Sequence, residues 1–266
     1  MAAAALLLAA LGMPANAAAA AQTDTGGVKL KNIQLCNGAD RSSPDPQIKG
    51  CTALIDAGGE TSLVLAIAHN NRGDAYSAKG EYDRAIEDYG LAIKLNPKFA
   101  KPFNNRGVAY QKKGEYGRAL EDFAEAIKLD PKYGRAFANR AEAYQMQHDY
   151  RHAAQDYDAA IRLEPDLESV WNGRCWARAI LNELQPALAD CNKALLVQPN
   201  DPAAHDSRGL IHLKMGQLDS AIEDYSAALR LQPGLASALY GRGLAKRESG
   251  DASGAEADFA AAKKFD

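Results

Sequence analysis

Apolar and polar positions along residues 66–266 recur at a shift of 34. The segment HNNRGDAYSAKGEYDRAIEDYGLAIKLNP, ending at Pro97, returns as FNNRGVAYQKKGEYGRALEDFAEAIKLDP, ending at Pro131. The register continues to Pro165, Pro199 and Pro233, so six units start at Ala66, Ala100, Gly134, Glu168, Pro202 and Ala236. Numbered within each unit, position 20 is Ala85, Ala119, Ala153, Ala187, Ala221 and Ala255. Position 27 is again alanine, from Ala92 to Ala262. Between them, position 24 is Tyr89, Phe123, Tyr157, Cys191, Tyr225 and Phe259. Spacings of 4 and 3 put these side chains on one helical face. Position 8 is small in every unit except the fourth, where Cys175 stands. Gly80, Gly114, Gly216 and Gly250 at position 15 predict turns, and a proline at position 32 cannot continue a second helix. Each unit therefore predicts an antiparallel helix hairpin. Upstream, Ile48, Cys51 and Ile55 stand 34 residues before Tyr82, Ala85 and Tyr89. They predict the second helix of a degenerate unit over 46–57, with CNGADRSSPDPQ as the loop before it.

These residues resemble the tetratricopeptide repeat: small at 8, aromatic at 11, Ala at 20, aromatic at 24, Ala at 27 and Pro at 32. The resemblance covers 66–266. It implies an all-α, right-handed superhelical solenoid of six 34-residue repeats, with the degenerate helix as an N-terminal cap. It also implies a concave groove lined by first helices through positions 2, 5, 6, 9, 12 and 13. Carried onto this chain, those positions give the candidate partner-binding residues Asn70, Asn71, Lys101, Asn104, Asn105, Gln111, Arg135, Asn139, Gln145, Trp176 and Leu210. Asparagine suits an extended peptide, because one amide can both donate to and accept from a backbone. The lining turns from polar to apolar towards Trp176, Leu210 and Leu213. The family's carboxylate clamp for chaperone tails is not expected: only Asn105 matches it outright, with Arg135 in part.

Composition narrows the picture. I-, V- and ring-rich strands are disfavoured, since the chain holds 53 Ala in 266 residues and only 7% aromatic residues. A net charge of −3 without a basic stripe excludes a nucleic-acid binder by this reading. No segment approaches the 18 apolar residues of a membrane span. No nucleophile elbow, phosphate loop or C-x-x-C occurs, so no catalytic residue, metal or cofactor is expected. His148 and His152 read as a surface pair, and His69 and His205, at a position held elsewhere by rings, as packing residues.

Residues 1–21, MAAAALLLAALGMPANAAAAA, resemble a signal peptide cut near residues 17–22, although no basic residue precedes the apolar run. Residues 22–65 then form the cap and 66–266 the solenoid of an exported bacterial protein, periplasmic or secreted. Four cysteines behind an export signal suggest disulfides, and their spacings of 15 and 16 favour local pairs, Cys36 with Cys51 and Cys175 with Cys191. A metal site or a reactive thiol is the alternative use of these sulfurs. Position 7 is Arg and position 23 Asp in all six units, which predicts a bridge inside each hairpin. Together these features suggest a non-catalytic scaffold holding a peptide or protein in its groove. The alternatives are an envelope assembly subunit acting through its convex face, and a thiol-redox or enzymatic protein.

Overall fold

In the computed structural model, residues 27–38 and 43–265 are described; the expected signal peptide lies outside them. Among the described residues there are helices only, α1 over 27–36 and then thirteen more. These are α2 (Pro44–Ala57), α3 (Ser62–Ala78), α4 (Tyr82–Leu95), α5 (Ala100–Lys112), α6 (Tyr116–Leu129) and α7 (Gly134–Met146). After them come α8 (Tyr150–Leu163), α9 (Glu168–Ile180), α10 (Leu184–Val197), α11 (Pro202–Lys214), α12 (Leu218–Leu231), α13 (Ala236–Glu248) and α14 (Ala252–Ala262). The chain divides into two units, Met1–Gly114 and Glu115–Asp266. Each is a stack of helix hairpins, the architecture of the tetratricopeptide solenoid class.

The hairpins form because every second helix has one apolar face. In α4 the buried residues are Ala85, Asp88, Tyr89 and Ala92; in α12 they are Ala221, Asp224, Tyr225, Ala228 and Leu229. The ring at position 24 lies on the small residue at position 8: a Cβ added to Gly73 would meet Tyr89 Cε1 at 2.7 Å, and one added to Gly209 would meet Tyr225 at 2.9 Å. Second helices end two residues before each proline, at Leu95, Leu129, Leu163, Val197 and Leu231.

First helices end in a left-handed residue. Gly80 lies at φ 75°, and the N–H of Glu81 reaches back to the carbonyl of Tyr76 at 2.9 Å. That closure recurs in the third and fourth repeats without glycine, through His148 at φ 61° and Asn182 at φ 64°. His148 thus occupies a turn, its Nδ1 3.0 Å from the Tyr150 hydroxyl, while His152 pairs with Asp149 at 2.6 Å. The two imidazoles have separate partners.

Both expected disulfides form, with Cα–Cα separations of 4.5 Å for Cys36–Cys51 and 5.4 Å for Cys175–Cys191. The second joins α9 to α10 where other repeats set a ring on a glycine, so a covalent link replaces the missing filler. Closing a loop of that length contributes about 3 kcal/mol in the chain-entropy account. The first disulfide corrects the sequence reading. Cys36 is not in a loop but ends α1, so the N-terminal cap is a hairpin, α1 with α2, rather than a single helix. Its backbones approach closely at Gly50, where a Cβ would lie 2.8 Å from the Asn32 carbonyl oxygen. Val28 and Leu30 remain exposed, which is why no amphipathic pattern marked α1 in advance.

Candidate binding face

In the second unit the first helices of successive hairpins touch: α7 meets α9, α9 meets α11, and α11 meets α13. The second helices α8, α10, α12 and α14 do not meet one another. Helices crowded on one side and spread on the other make a curved stack, with the first helices on its inner side. In the first unit α3 and α5 touch in the same way.

Bridges hold the register of these stacks. Arg72, Arg140, Arg174, Arg208 and Arg242 each grip the aspartate 16 residues ahead through Nε and Nη2, at 2.5–2.8 Å. Four of them also reach back to the preceding hairpin, Arg72 to Thr52, Arg174 to Asp158, Arg208 to Asn192 and Arg242 to Ser226. One guanidinium fork thereby joins two hairpins. The sequence reading did not anticipate the second nitrogen-bearing side chain at position 11 of the last three repeats. Arg178 lies 2.8 Å from Asp190, Lys246 2.9 Å from Asp258, and His212 3.6 Å from Asp224. The signal was present as the change from tyrosine at 76, 110 and 144 to these three residues. His69 and His205 also differ from expectation. Each directs Nδ1 at the buried aspartate of its own hairpin, 2.8 Å from Asp88 and 3.3 Å from Asp224. Burial pushes the Asp88 carboxyl up, but bonds from Arg72 and His69 outweigh it and hold the group below its ordinary pKa. At Asp258 burial likewise pushes the carboxyl up, and bonds from Arg242 and Lys246 outweigh it and hold the group below its ordinary pKa.

On the inner face of the first unit the asparagines form one network. Asn105 Nδ2 donates to Asp74 Oδ1 at 2.8 Å and to Asn70 Oδ1 at 3.2 Å. Asn70 Nδ2 donates to Asn71 Oδ1 and Asp74 Oδ2, and Asn104 Nδ2 to Asn105 Oδ1. The Tyr89 hydroxyl and Lys101 Nζ complete the ring around Asp74, at 2.9 and 3.3 Å. Asn71 in turn donates to the Cys36 carbonyl and to Asn37, tying α3 to the cap. Asn70 is 1% exposed and Asn104 is buried, so those two amides hold their neighbours. Lys101 is exposed, and Asn71, Asn105 and Gln111 are half-buried. Burial, then Asp74, raises the Tyr89 pKa above its ordinary value, so the phenol keeps its proton and donates.

In the second unit Arg135 is exposed, whereas Asn139, Gln145, Trp176 and Leu210 are half-buried. Gln145 Oε1 accepts from the Tyr157 hydroxyl at 2.7 Å. The first helices of this unit also expose apolar side chains: Met146 at 53%, Ile180 at 37% and Tyr240 at 56%. Among the described residues no group of three or more His, Cys, Asp or Glu side chains is placed to hold a metal ion, and no helix is long and apolar enough to cross a membrane.

Family models agree with this geometry. One described as TPR repeat matches residues 73–114 and 209–250, and one described as Tetratricopeptide repeat matches 100–133. The chain carries tetratricopeptide repeats. Among solved structures the repeat protein is similar to YrrB, a TPR protein with an unusual peptide-binding site. The TM-score is 0.62 at 20% identity, over 73% of this chain and 98% of YrrB. It is also similar to PilW, a widely conserved type IV pilus biogenesis factor (TM-score 0.66, 19% identity, 73% of this chain and 90% of PilW). A third is a tetratricopeptide repeat protein from Parabacteroides merdae (TM-score 0.65, 19% identity, 89% and 93%). At these identities the likeness is one of fold. No curated protein sequence matches the chain.

Proposed function

We propose that this repeat protein is a non-catalytic scaffold, exported to an oxidising compartment, that holds a peptide or protein partner on the inner face of its helix stacks. The observation that carries this reading is the partly exposed apolar surface of Met146, Ile180 and Tyr240 on the inner helices of the second unit. Trp176 and Leu210 lie between them, with Arg135, Asn139 and Gln145 as polar neighbours. In the first unit Asn71, Lys101, Asn105 and Gln111 offer polar atoms on the corresponding face. Preformed helices lower the ordering cost of binding, because the surface does not fold around its partner. A peptide-binding site in YrrB, a protein of the same fold, supports the reading. Export is supported by two disulfides, which persist in oxidising compartments, and by the signal-like stretch 1–21.

Selection of displayed random peptides on the immobilised chain tests the binding face. Peptides so selected are expected to lose about tenfold in affinity when Trp176 and Tyr240 are both changed to alanine, as anchoring aromatics do. Leu196→Glu on the outer helix α10 should leave them unaffected. Peptides that respond to Leu196→Glu and ignore Trp176 and Tyr240 would place binding on the convex side.

A further inference from the structure

In the first unit one side chain closes the inner face: Asn105, at position 6, donates to the acceptor at position 5 of the preceding repeat, Asn70. In the second unit position 6 after the third repeat is Gly173, Ser207 and Gly241. The acceptors at position 5 before the last two of these, Asn172 and Asp206, have therefore lost their internal donor. Asn172 Oδ1 is buried with no hydrogen-bond partner, alone in this among the described residues. Among the described residues Asp206 receives one bond, from Ser237 Oγ to Oδ2 at 2.7 Å, and forms no ion pair. Burial raises its pKa above the ordinary value, an effect that the Ser237 bond only partly opposes.

A third group lies near Asp206. Tyr225 is 2% exposed, yet its hydroxyl makes no hydrogen bond among the described residues. It lies over Gly241, where an added Cβ would be 2.6 Å from the hydroxyl oxygen, and it feels the negative charge of Asp206. Its counterparts are satisfied: Tyr89 donates to Asp74 and Tyr157 to Gln145. Trp176 stands one turn after Asn172, Leu210 one turn after Asp206, and Tyr240 one turn after Ser237. Cations on these helices are engaged elsewhere. Arg208 holds Asp224, Lys214 Nζ donates to the Ala179 carbonyl at 2.7 Å, and Arg247 lies 5.5 Å from the centre of the Phe259 ring.

We infer that this stretch of the inner face is a subsite for a lysine or arginine side chain of the bound peptide, with Asp206 as counter-ion and the Tyr225 hydroxyl oxygen as second acceptor. Asn172, whose Oδ1 is buried in the free chain although the residue is half-buried, turns outward to take an N–H of the same peptide. The inference rests on the inner face being the binding surface, and it deepens that reading by naming the partner's chemistry. The first unit shows which groups fit: there the Lys101 ammonium and the Asn105 amide serve the Asp74 and Asn70 acceptors from within the chain. At position 2, where the second repeat has Lys101, the sixth has Ser237, so the chain sets no cation there.

The test is a nuclear magnetic resonance titration of the full chain with four probes: the Nα-acetyl methylamides of lysine, arginine, norleucine and glutamate. Saturable shifts at the Asn172 side-chain amide and the Gly241 backbone amide are expected with lysine or arginine, and none with norleucine or glutamate. Which of the two basic probes binds more tightly separates an ammonium from a guanidinium site. Asp206→Asn should weaken the response about tenfold, as loss of a charge-assisted bond does. Ser207→Asn restores an internal donor to Asn172, with Cys191 rather than a ring behind it, and should weaken binding about threefold. It keeps the test decisive should Asp206→Asn not fold. An equal response to norleucine, no response to the basic probes, or full binding by both variants would overturn the subsite. Selected peptides that need Trp176 and Tyr240 but carry no basic residue overturn it while sparing the binding face. Peptides indifferent to those two aromatics count against the face itself.

Discussion

The inner helices of the first unit present amides that already bond one another, and those of the second present acceptors that do not. The difference lies in one repeat position. Asparagine at 105 bridges to the repeat before it, whereas glycine at 173 and 241 makes room for Tyr157 and Tyr225, and serine at 207 is too short to bridge. The same hairpin can therefore be sealed by its own side chains or left to be completed by a partner, with no change of backbone. The outer charge pairs show the opposite trend. Asp88 in the first unit is served by one arginine and a histidine, while Asp190 in the second is held by Arg174 and Arg178 together.

Breaking the charge cluster of the second unit should have the largest effect. Asp190→Ala takes from Arg174 and Arg178 the more buried of the two carboxylates they share, leaving Asp158, and should cost about 3 kcal/mol, read by thermal unfolding of the oxidised chain. Unsealing the first unit comes next. Asn105→Ala strands the Asn70 acceptor and takes one of four donors from Asp74, and should cost about 2 kcal/mol by denaturant titration, a loss that Ser207→Ala in the second unit should not reproduce. Acid sharpens the contrast in another way. Asp88 and Asp258 have pKa values lowered by folding, so their stabilisation is present above the unfolded carboxylate value of about 3.9 and is lost as pH falls through their folded values. Asp206, raised by burial, works in the reverse sense and favours the fold on protonation. Unfolding midpoints measured from pH 7 down to pH 2 should fall in the wild type, and less steeply in Asp258→Asn. The smallest effect belongs to the turns: His148→Gly removes a left-handed non-glycine residue and should gain about 1 kcal/mol, whereas Gly80→Ala in the first unit should lose a similar amount.

Much of the fold was legible because it is periodic. Alanines at 20 and 27, rings at 24 and prolines at 32 each repeat one local constraint, and local constraints survive in sequence. The Arg–Asp bridges and both disulfides were readable for the same reason, since partners 15 or 16 residues apart sit on facing helices of one hairpin. The helix 27–36 was not readable from its pattern, because it exposes Val28 and Leu30; its signals were only the stop at Asn37 and left-handed Gly38, and Gly50, where the backbones meet. For the binding face, the positions could be assigned but not their state. Asn70, Asn105 and Asn172 look alike in sequence, yet the first two are bonded within the chain and Asn172 Oδ1 is buried without a partner.

Sequence alone determined the hairpin, its length, its turns and the family, because each depends on contacts within 34 residues. Which acceptors are left open was decided only by tertiary packing. A hydrogen bond between position 6 of one repeat and position 5 of another exists only once the first helices α3 and α5, or α9 and α11, lie side by side. Whether a side chain at that junction reaches, as Asn105 does, or falls short, as Ser207 does, depends on the separation of two helices, which no single residue encodes.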